Sequence, residues 1–474
     1  VKKLSPTDRE GGLHKELSKA QITMIGLGGA IGTGLFMGSG IAIGYAGPAV
    51  LLSYVIAGFA AVVMVFSLSE MAVVHPTAGS FGTYAEMYLG PWAGFVVRYT
   101  YWITQVIAIG SEAIAAGVYM AFWFPEIPVW MFSLGFAFIL LYVNSRAVGN
   151  FGTVEYWFSF IKVTAIVIFI ILGAANIFGI GVDAVGMGNL SGLPGGFMPH
   201  GFGGVWMAVI VAVFSFYGIE VIAVTSGEAK DPTTAIPSAL KTMALRLFLF
   251  YVLSLAIMVT FLPWTEIGAK VVTESPFVRL FAHTGIRHAA GIMNFVVLSA
   301  ALSSMNTNIY LCSRTLFSLA RGSYAPRIFG RLGTSGTPIA ATIFSGGCII
   351  LAASISKLTP LAYNYLFGIA LFGGISVWMF ILVTHLRFRK YHKAADLPVR
   401  MPFFPVMQLA GLALLGAVLI TMGLDTEFWD ISWIVGIPWF VLISLAYLVW
   451  KAKNGAENAA SVEWDLGPAV NPDN

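Results

Sequence analysis

An apolar run from Ile22 to about Ala46 is long enough to cross a bilayer, yet it carries Gly26, Gly28, Gly29, Gly32, Gly34, Gly38 and Gly40. Each glycine disfavours a helix interior by roughly 1 kcal/mol relative to alanine. Their crowding predicts a helix that breaks around Gly32-Thr33-Gly34. In hydrocarbon an open backbone leaves N–H and C=O groups unpaired, so a break persists only where it lines a cavity or a ligand. Gly28/Gly32 and Gly40/Gly44 also have the four-residue spacing of close helix packing, which is the competing reading. A nucleotide loop is excluded, because no G-x-G-x-x-G register fits and no Walker lysine follows.

The whole chain repeats this bias: 58% of it is hydrophobic, only 10% is charged, and the mean hydropathy is +0.84. A soluble protein would carry about 25% charge, so an all-α polytopic membrane protein is expected. The weakly alternating segments of a membrane barrel are absent. Cys312 and Cys348 lie in apolar runs and suggest neither a metal site nor a disulfide framework; no cofactor is implied. The first twenty residues are polar, so no cleavable signal is expected.

Spans are expected at about 21–47, 49–74, 92–122, 128–148, 153–178, 204–227, 239–264, 288–316, 338–356, 360–386, 405–424 and 430–450, about twelve helices. The chain then divides into a tail (1–20), five helices (21–178), a glycine-rich loop without Lys or Arg (179–203), five more helices (204–386), a basic loop with two last helices (387–450) and a second tail (451–474). With the N-terminus inside, the inner loops hold 21 lysines and arginines. The outer loops hold only Lys270, Arg279, Arg287 and Lys357, and Lys162 stays within a span. By the positive-inside rule both termini are cytoplasmic.

The sixth span resembles the first. It reads VFSFYGIEVIAVTSGE, with Gly218 at mid-span beside Glu220. Two interrupted helices, each opening a set of five, point to an inverted-repeat transporter with its site near the membrane midplane.

The segments GGAIGTGLFMGSG, SEMAVVHPTAGSFGTYAE, FSFYGIEVIAVTSGEAKDPTTAIP and SRTLFSLARGSYAP resemble the amino acid/polyamine/organocation superfamily, in its bacterial amino-acid permease branch. The likeness runs from about residue 13 to 390 and is weak over the last two spans. It implies a LeuT-like five-plus-five inverted repeat and uptake of an amino acid across the bacterial inner membrane.

An amino acid presents a carboxylate and an ammonium in fixed relation. Free N–H groups at a broken helix end suit the first, and unpaired carbonyls suit the second. Thr33 and Gly34, helped by Gly32, are therefore expected at the carboxylate, and the carbonyls of Ala30, Phe214 and Tyr217 at the ammonium, with Gly218 at the second break. The alternative for Thr33 is a hydroxyl bonded to its own helix. The resemblance places Phe214 as an aromatic lid, and Gln105, Ile109, Glu112 and Asn308 around the substrate side chain.

Lys162, in FSFIKVTAIVIFI, costs several kcal/mol at this depth unless it is paired, deprotonated or able to snorkel. Glu155 lies two turns back. The resemblance implies that this lysine replaces the sodium ion of sodium-coupled relatives and answers to protons, its ammonium bonded to carbonyls near Gly29 and Ala30 and to Ser303 or Ser304. Glu220 is expected to couple or gate. Glu112 faces the cavity or is a structural acid, Glu228 gates or is a solvated helix end, and Glu70 is an interfacial acid.

These readings converge on a proton-coupled amino-acid importer for neutral or aromatic substrates. An amino acid/amine exchanger or a cationic amino-acid permease is the alternative. The expected partners are an amino acid, protons and the lipid bilayer, with no nucleic acid. A membrane enzyme is disfavoured because H-E-x-x-H, G-x-S-x-G and an intramembrane Asp pair are all missing, and no selectivity-filter motif supports a channel.

Overall fold

The computed structural model describes residues 9, 12–145, 148–180, 184–268, 275–283, 288–334, 336–393, 397, 399–425 and 429–454. The expected tails therefore fall outside the described residues over 1–8, 10–11 and 455–474, as do Arg146, Lys270 and Arg287.

The chain is helical throughout the described residues. Helix α1 (Lys19–Ala30) starts on a capping box, in which the Ser18 side chain accepts from the Gln21 N–H and the Gln21 side chain accepts from Ser18. It breaks after Ala30, resumes as a wide π-turn at Gly34–Gly38 and continues as α2 (Ser39–Ala46). At Gly47, with φ +60°, the chain turns into α3 (Val50–Val74). Next come α4 (Ser80–Leu89), α5 (Pro91–Ala121), α6 (Val129–Asn144) and α7 (Val148–Phe178). Helix α8 (Gly201–Ser215) ends in an open stretch before the short α9 (Val221–Val224) and a 3-10 turn, Thr225–Glu228. The chain continues through α10 (Pro232–Phe261), α11 (Pro276–His283), α12 (Ala289–Arg321), α13 (Ile339–Ser354), α14 (Ala362–Phe388), α15 (Val406–Leu424) and α16 (Asp430–Asn454).

Nine described helical runs are long and apolar enough to cross a membrane. The first of these, Lys19–Val74, contains both the broken helix and α3, and the shorter apolar α6 and α8 bring the segments to twelve. The chain is a multi-pass helical membrane protein. Helix α4 has no counterpart among the expected spans: SFGTYAEMYL is too polar to read as one, and it is buried because Arg98 and Arg9 neutralise Glu86.

Helices α5 and α12 form the centre and pack on one another, with α14 against α5 and α1 against α7. Helix α7 turns Trp157, Phe160, Ile168 and Ile171 outward, the face a lipid-contacting helix presents.

Candidate functional site

The two broken helices meet backbone to backbone. Gly218 has φ +98°, and a Cβ built there would lie 2.5 Å from the Gly29 carbonyl oxygen, so only glycine lets the strands of open chain approach. Tyr251 of α10 ties the breaks together: its hydroxyl reaches the Ala30 carbonyl at 2.8 Å and the Ser215 carbonyl at 2.7 Å.

Beside this junction lies a cavity of about 20 Å³. Ala30, Gly32, Gly34, Glu112, Phe214, Tyr217, Gly218 and Asn308 line it, together with Gly29, Ala108 and Ser304. Such a volume admits about one water molecule, so an amino acid enters only if the walls separate. Phe214 and Tyr217 stack at 6.0 Å across one wall, and Phe367 packs 4.1 Å from Phe214.

Three expected pocket residues do not line the cavity. Ile109 is fully buried in a separate apolar cluster with Met305, Ile309 and Cys312. Its neighbour Ala108 takes the lining position, because one residue along a helix rotates the side chain by about 100°. Gln105 reaches Glu220 Oε1 at 3.5 Å instead. Thr33 lies at the break, 1% exposed; its Oγ1 has no hydrogen-bond partner, so it is not spent on its own helix.

The Ala30 carbonyl corrects a further expectation. It accepts both the Tyr251 hydroxyl and the Gly32 N–H at 3.1 Å, which fills its two lone pairs. The Phe214 carbonyl accepts the Tyr217 N–H at 2.9 Å. In this conformation the Ala30 oxygen is already engaged, while the Phe214 oxygen, with one donor, keeps a lone pair.

Lys162 does not snorkel. It is fully buried, and Nζ donates to the carbonyls of Gly28 at 2.6 Å and Ile31 at 3.0 Å, the last turn of α1 and its first open residue. Ser303 and Ser304 are not its hydrogen-bond partners, contrary to expectation. Ser303 donates to Glu155 Oε1, and Ser304 donates to Glu112 Oε1 at 2.5 Å. Glu155 also accepts from Asn306 at 3.1 Å and Ser159 at 3.3 Å, and Asn144 fixes the Asn306 amide at 2.7 Å. Asn308 donates to Glu112 Oε2 at 3.3 Å. Both carboxylates act electrostatically on Lys162. The seven-residue offset of Glu155 from Lys162 is two helical turns on one face, and that spacing is the signal the sequence carries. Tyr251 left no such trace.

Glu220 sits against the second break. It accepts from Tyr101 at 3.2 Å, and its other oxygen accepts the Gly218 N–H at 3.1 Å.

The two ends of the bundle differ. On the side of the N-terminal segment the way is closed. Glu228 is no solvated helix end: it pairs with buried Arg314 at 2.8 Å. Its carbonyl takes the Leu17 N–H, and Leu17 in turn bridges to Lys230. Glu86 pairs with Arg98 and Arg9, both at 2.8 Å, and accepts from Tyr324 at 3.1 Å. Desolvation alone would raise the Glu86 carboxyl, but Arg98 and Arg9 outweigh it and hold the group below the usual range. Glu70 is likewise buried rather than interfacial, held by His385 at 2.7 Å and Arg389 at 3.0 Å. At the opposite end a cavity of about 750 Å³ opens between Tyr119, Asn294, Ser275 and Lys357. Tyr119 stands seven residues beyond Glu112 on α5.

The profile of the amino acid permease family matches residues 21–459. An uncharacterized amino acid permease of Bacillus subtilis is 39% identical over 92% of this chain and 94% of its own length. The gamma-aminobutyric acid permease of the same organism is 38% identical over 95% of this chain and 97% of its length. The aromatic amino acid transport protein of Escherichia coli is 37% identical over 92% of this chain and 95% of its length. The family match and the two broken helices agree, and the chain belongs to the amino acid permease family.

Proposed function

We propose that the protein is a proton-coupled importer of neutral or aromatic amino acids in a bacterial cell membrane, with both termini cytoplasmic. The observation that carries this reading is Lys162, fully buried and bonded to the broken end of α1. Fully ionised, Glu112, Glu155 and Lys162 sum to one negative charge in a buried site, which is unfavourable by several kcal/mol. One proton cancels that charge. Glu112, which lines the cavity, receives it from the side of the larger opening, and Glu155 stays the fixed counter-charge of Lys162. A proton on Glu112 leaves Lys162 with one partner and a firm grip on α1; its departure unbalances the trio and loosens that grip. This is a local charge switch acting on a two-state element.

In the same reading the substrate carboxylate meets the N–H groups of Thr33 and Gly34, and the ammonium meets the carbonyls of Phe214 and Tyr217. Glu112 is the one acid in the cavity lining, which suits a neutral side chain better than a dibasic one. The relatives named for gamma-aminobutyric acid and for aromatic amino acids fit this class. The five-plus-five repeat, with helices 21–178 and 204–386 as its halves, belongs to the same proposal.

Uptake into proteoliposomes tests it. An imposed inward proton gradient should concentrate a labelled amino acid in sodium-free buffer. A sodium requirement, or flux only into vesicles preloaded with substrate, would overturn proton symport.

A further inference from the structure

The motif SRTLFSLARGSYAP ends in a part of the chain that the transport site does not use. Arg321, Ser323, Arg327, Gly330, Arg331 and Leu332 line a cavity of about 510 Å³ at the closed end of the bundle. Among the described residues that line it there is no carboxylate. Arg321 is held in place, with Nε donating to the Gly330 carbonyl at 2.9 Å and the guanidinium 5.0 Å from the Phe317 ring. Arg327 and Arg331 are exposed, the first opening and the second following a 3-10 turn (Arg327–Gly330) whose Ile328 is 53% exposed.

The walls beside this basic hollow are apolar and face outward. On one side Ile343 and Phe344 of α13 are exposed, and Phe344 packs 5.0 Å from Phe329. On the other side Leu445, Leu448 and Val449 of α16 are exposed, and Trp450 of the same helix donates to the Ser323 carbonyl at 2.8 Å. We propose that this cavity binds the phosphodiester headgroup of an anionic phospholipid, with the acyl chains lying along α13 and α16. Guanidinium groups match phosphate oxygens in geometry and charge. The apolar walls continue straight from the headgroup position, which a soluble phosphate would leave unused. Arginines that merely set topology have no need to converge on one hollow between two lipid-facing helices.

The test uses the whole protein purified in neutral detergent, with thermal unfolding followed as lipid is added. Phosphatidylglycerol should raise the midpoint by several degrees more than phosphatidylcholine does, because a ligand of the folded state stabilises it with concentration. In the double variant Arg327→Gln/Arg331→Gln the affinity for phosphatidylglycerol should fall about fivefold per arginine. Equal shifts with both lipids, or a double variant with unchanged affinity, would overturn the site. A shift with free glycerol phosphate as large as with phosphatidylglycerol would make it a soluble-anion site and overturn the lipid assignment. The comparison of lipids on the unmodified protein stands even if the variant folds poorly.

Discussion

Ser303 and Ser304 are consecutive on α12, yet they donate to different buried acids, Ser303 to Glu155 and Ser304 to Glu112. One turn of one helix thus touches both carboxylates that flank Lys162. Ser304 also reaches the Gly29 carbonyl at 3.5 Å, so the same turn contacts the broken helix itself. A change of charge on either acid is felt by α1, α5, α7 and α12 together, the helices that must move if the cavity is to open.

Glu155→Gln keeps the shape of the side chain and removes its charge. Lys162 then loses its fixed counter-charge, and a proton on Glu112 no longer sets the balance. Proton-driven accumulation should drop at least about tenfold, equivalent to roughly 1.4 kcal/mol, while exchange of labelled for unlabelled substrate persists. Lys162→Ala should do the same. Accumulation at the unmodified rate in either variant, measured in proteoliposomes, would refute the trio.

Gly218→Ala places a methyl 2.5 Å from the Gly29 oxygen and 2.8 Å from the Gly29 carbonyl carbon, at φ +98°. Both contacts are backbone and cannot swing aside. The variant should lose more than about 1 kcal/mol of stability, read as a lower unfolding midpoint, and should transport at background. Gly347→Ala, with nothing within 4 Å of the added Cβ, should behave as the parent protein in both measurements.

The breaks were legible in the sequence because glycine is costly in a helix and a broken helix in lipid needs a reason. Lys162 was legible as a lone cation in an apolar run. The expected carbonyls near Gly29 and Ala30 are close to those it bonds, Gly28 and Ile31, whereas Ser303 and Ser304 turn to the acids instead, which backbone position alone does not reveal. Ile109 came from the resemblance alone; in this conformation Ala108 lines the cavity and Ile109 joins the apolar cluster beside it, a difference of one residue along α5. Glu70 and Glu228 sit near helix ends, where acids are usually solvated; burial came from His385 and Arg314, on helices distant in the chain.

Side-chain selectivity should follow Ala108 rather than Ile109. A larger residue at Ala108, such as Leu, fills the cavity wall and should exclude bulky substrates more than small ones. Ile109→Val changes only the separate apolar cluster and should leave the order of competing amino acids unchanged. Thr33→Ala, next to the proposed carboxylate site, should weaken all substrates in common. Competition assays with a panel of amino acids decide this, and a reordered preference in Ile109→Val would place the pocket on the wrong face of α5.

His75, just past α3, bonds the Tyr88 hydroxyl at 2.7 Å, and the same hydroxyl bonds His392 at 2.9 Å. Burial, and then the charge of His392, push His75 down to about 4 from its ordinary 6.5. A histidine lowered in the folded state binds fewer protons than in the unfolded state, so its contribution is complete above pH 6.5 and is lost as pH falls toward 4. Between pH 8 and pH 5 this group should remove about 2 kcal/mol of stability. His75→Phe should flatten that part of the pH profile, followed by thermal unfolding in detergent. An unchanged slope would assign the acid sensitivity to other groups.

The Glu228–Arg314 pair closes the end of the bundle that carries the N-terminal segment. Arg314 Nε lies 2.8 Å from Glu228 Oε1, its guanidinium stacks 4.1 Å from the Tyr310 ring, and the Glu228 carbonyl holds Leu17. Both side chains are buried, so removing one partner strands a charge. Glu228→Gln should lose about 3–5 kcal/mol for that reason. Replacing both, Glu228→Gln with Arg314→Met, leaves no buried charge and should restore most of the unfolding midpoint. Its transport should remain impaired, because the end then loses the charged pair that helps hold it shut while the other end is open. A double variant as unstable as the single one would show that the loss comes from packing around Glu228 rather than from the unpaired guanidinium. A double variant that concentrates substrate as the parent does would show that the pair is not the latch.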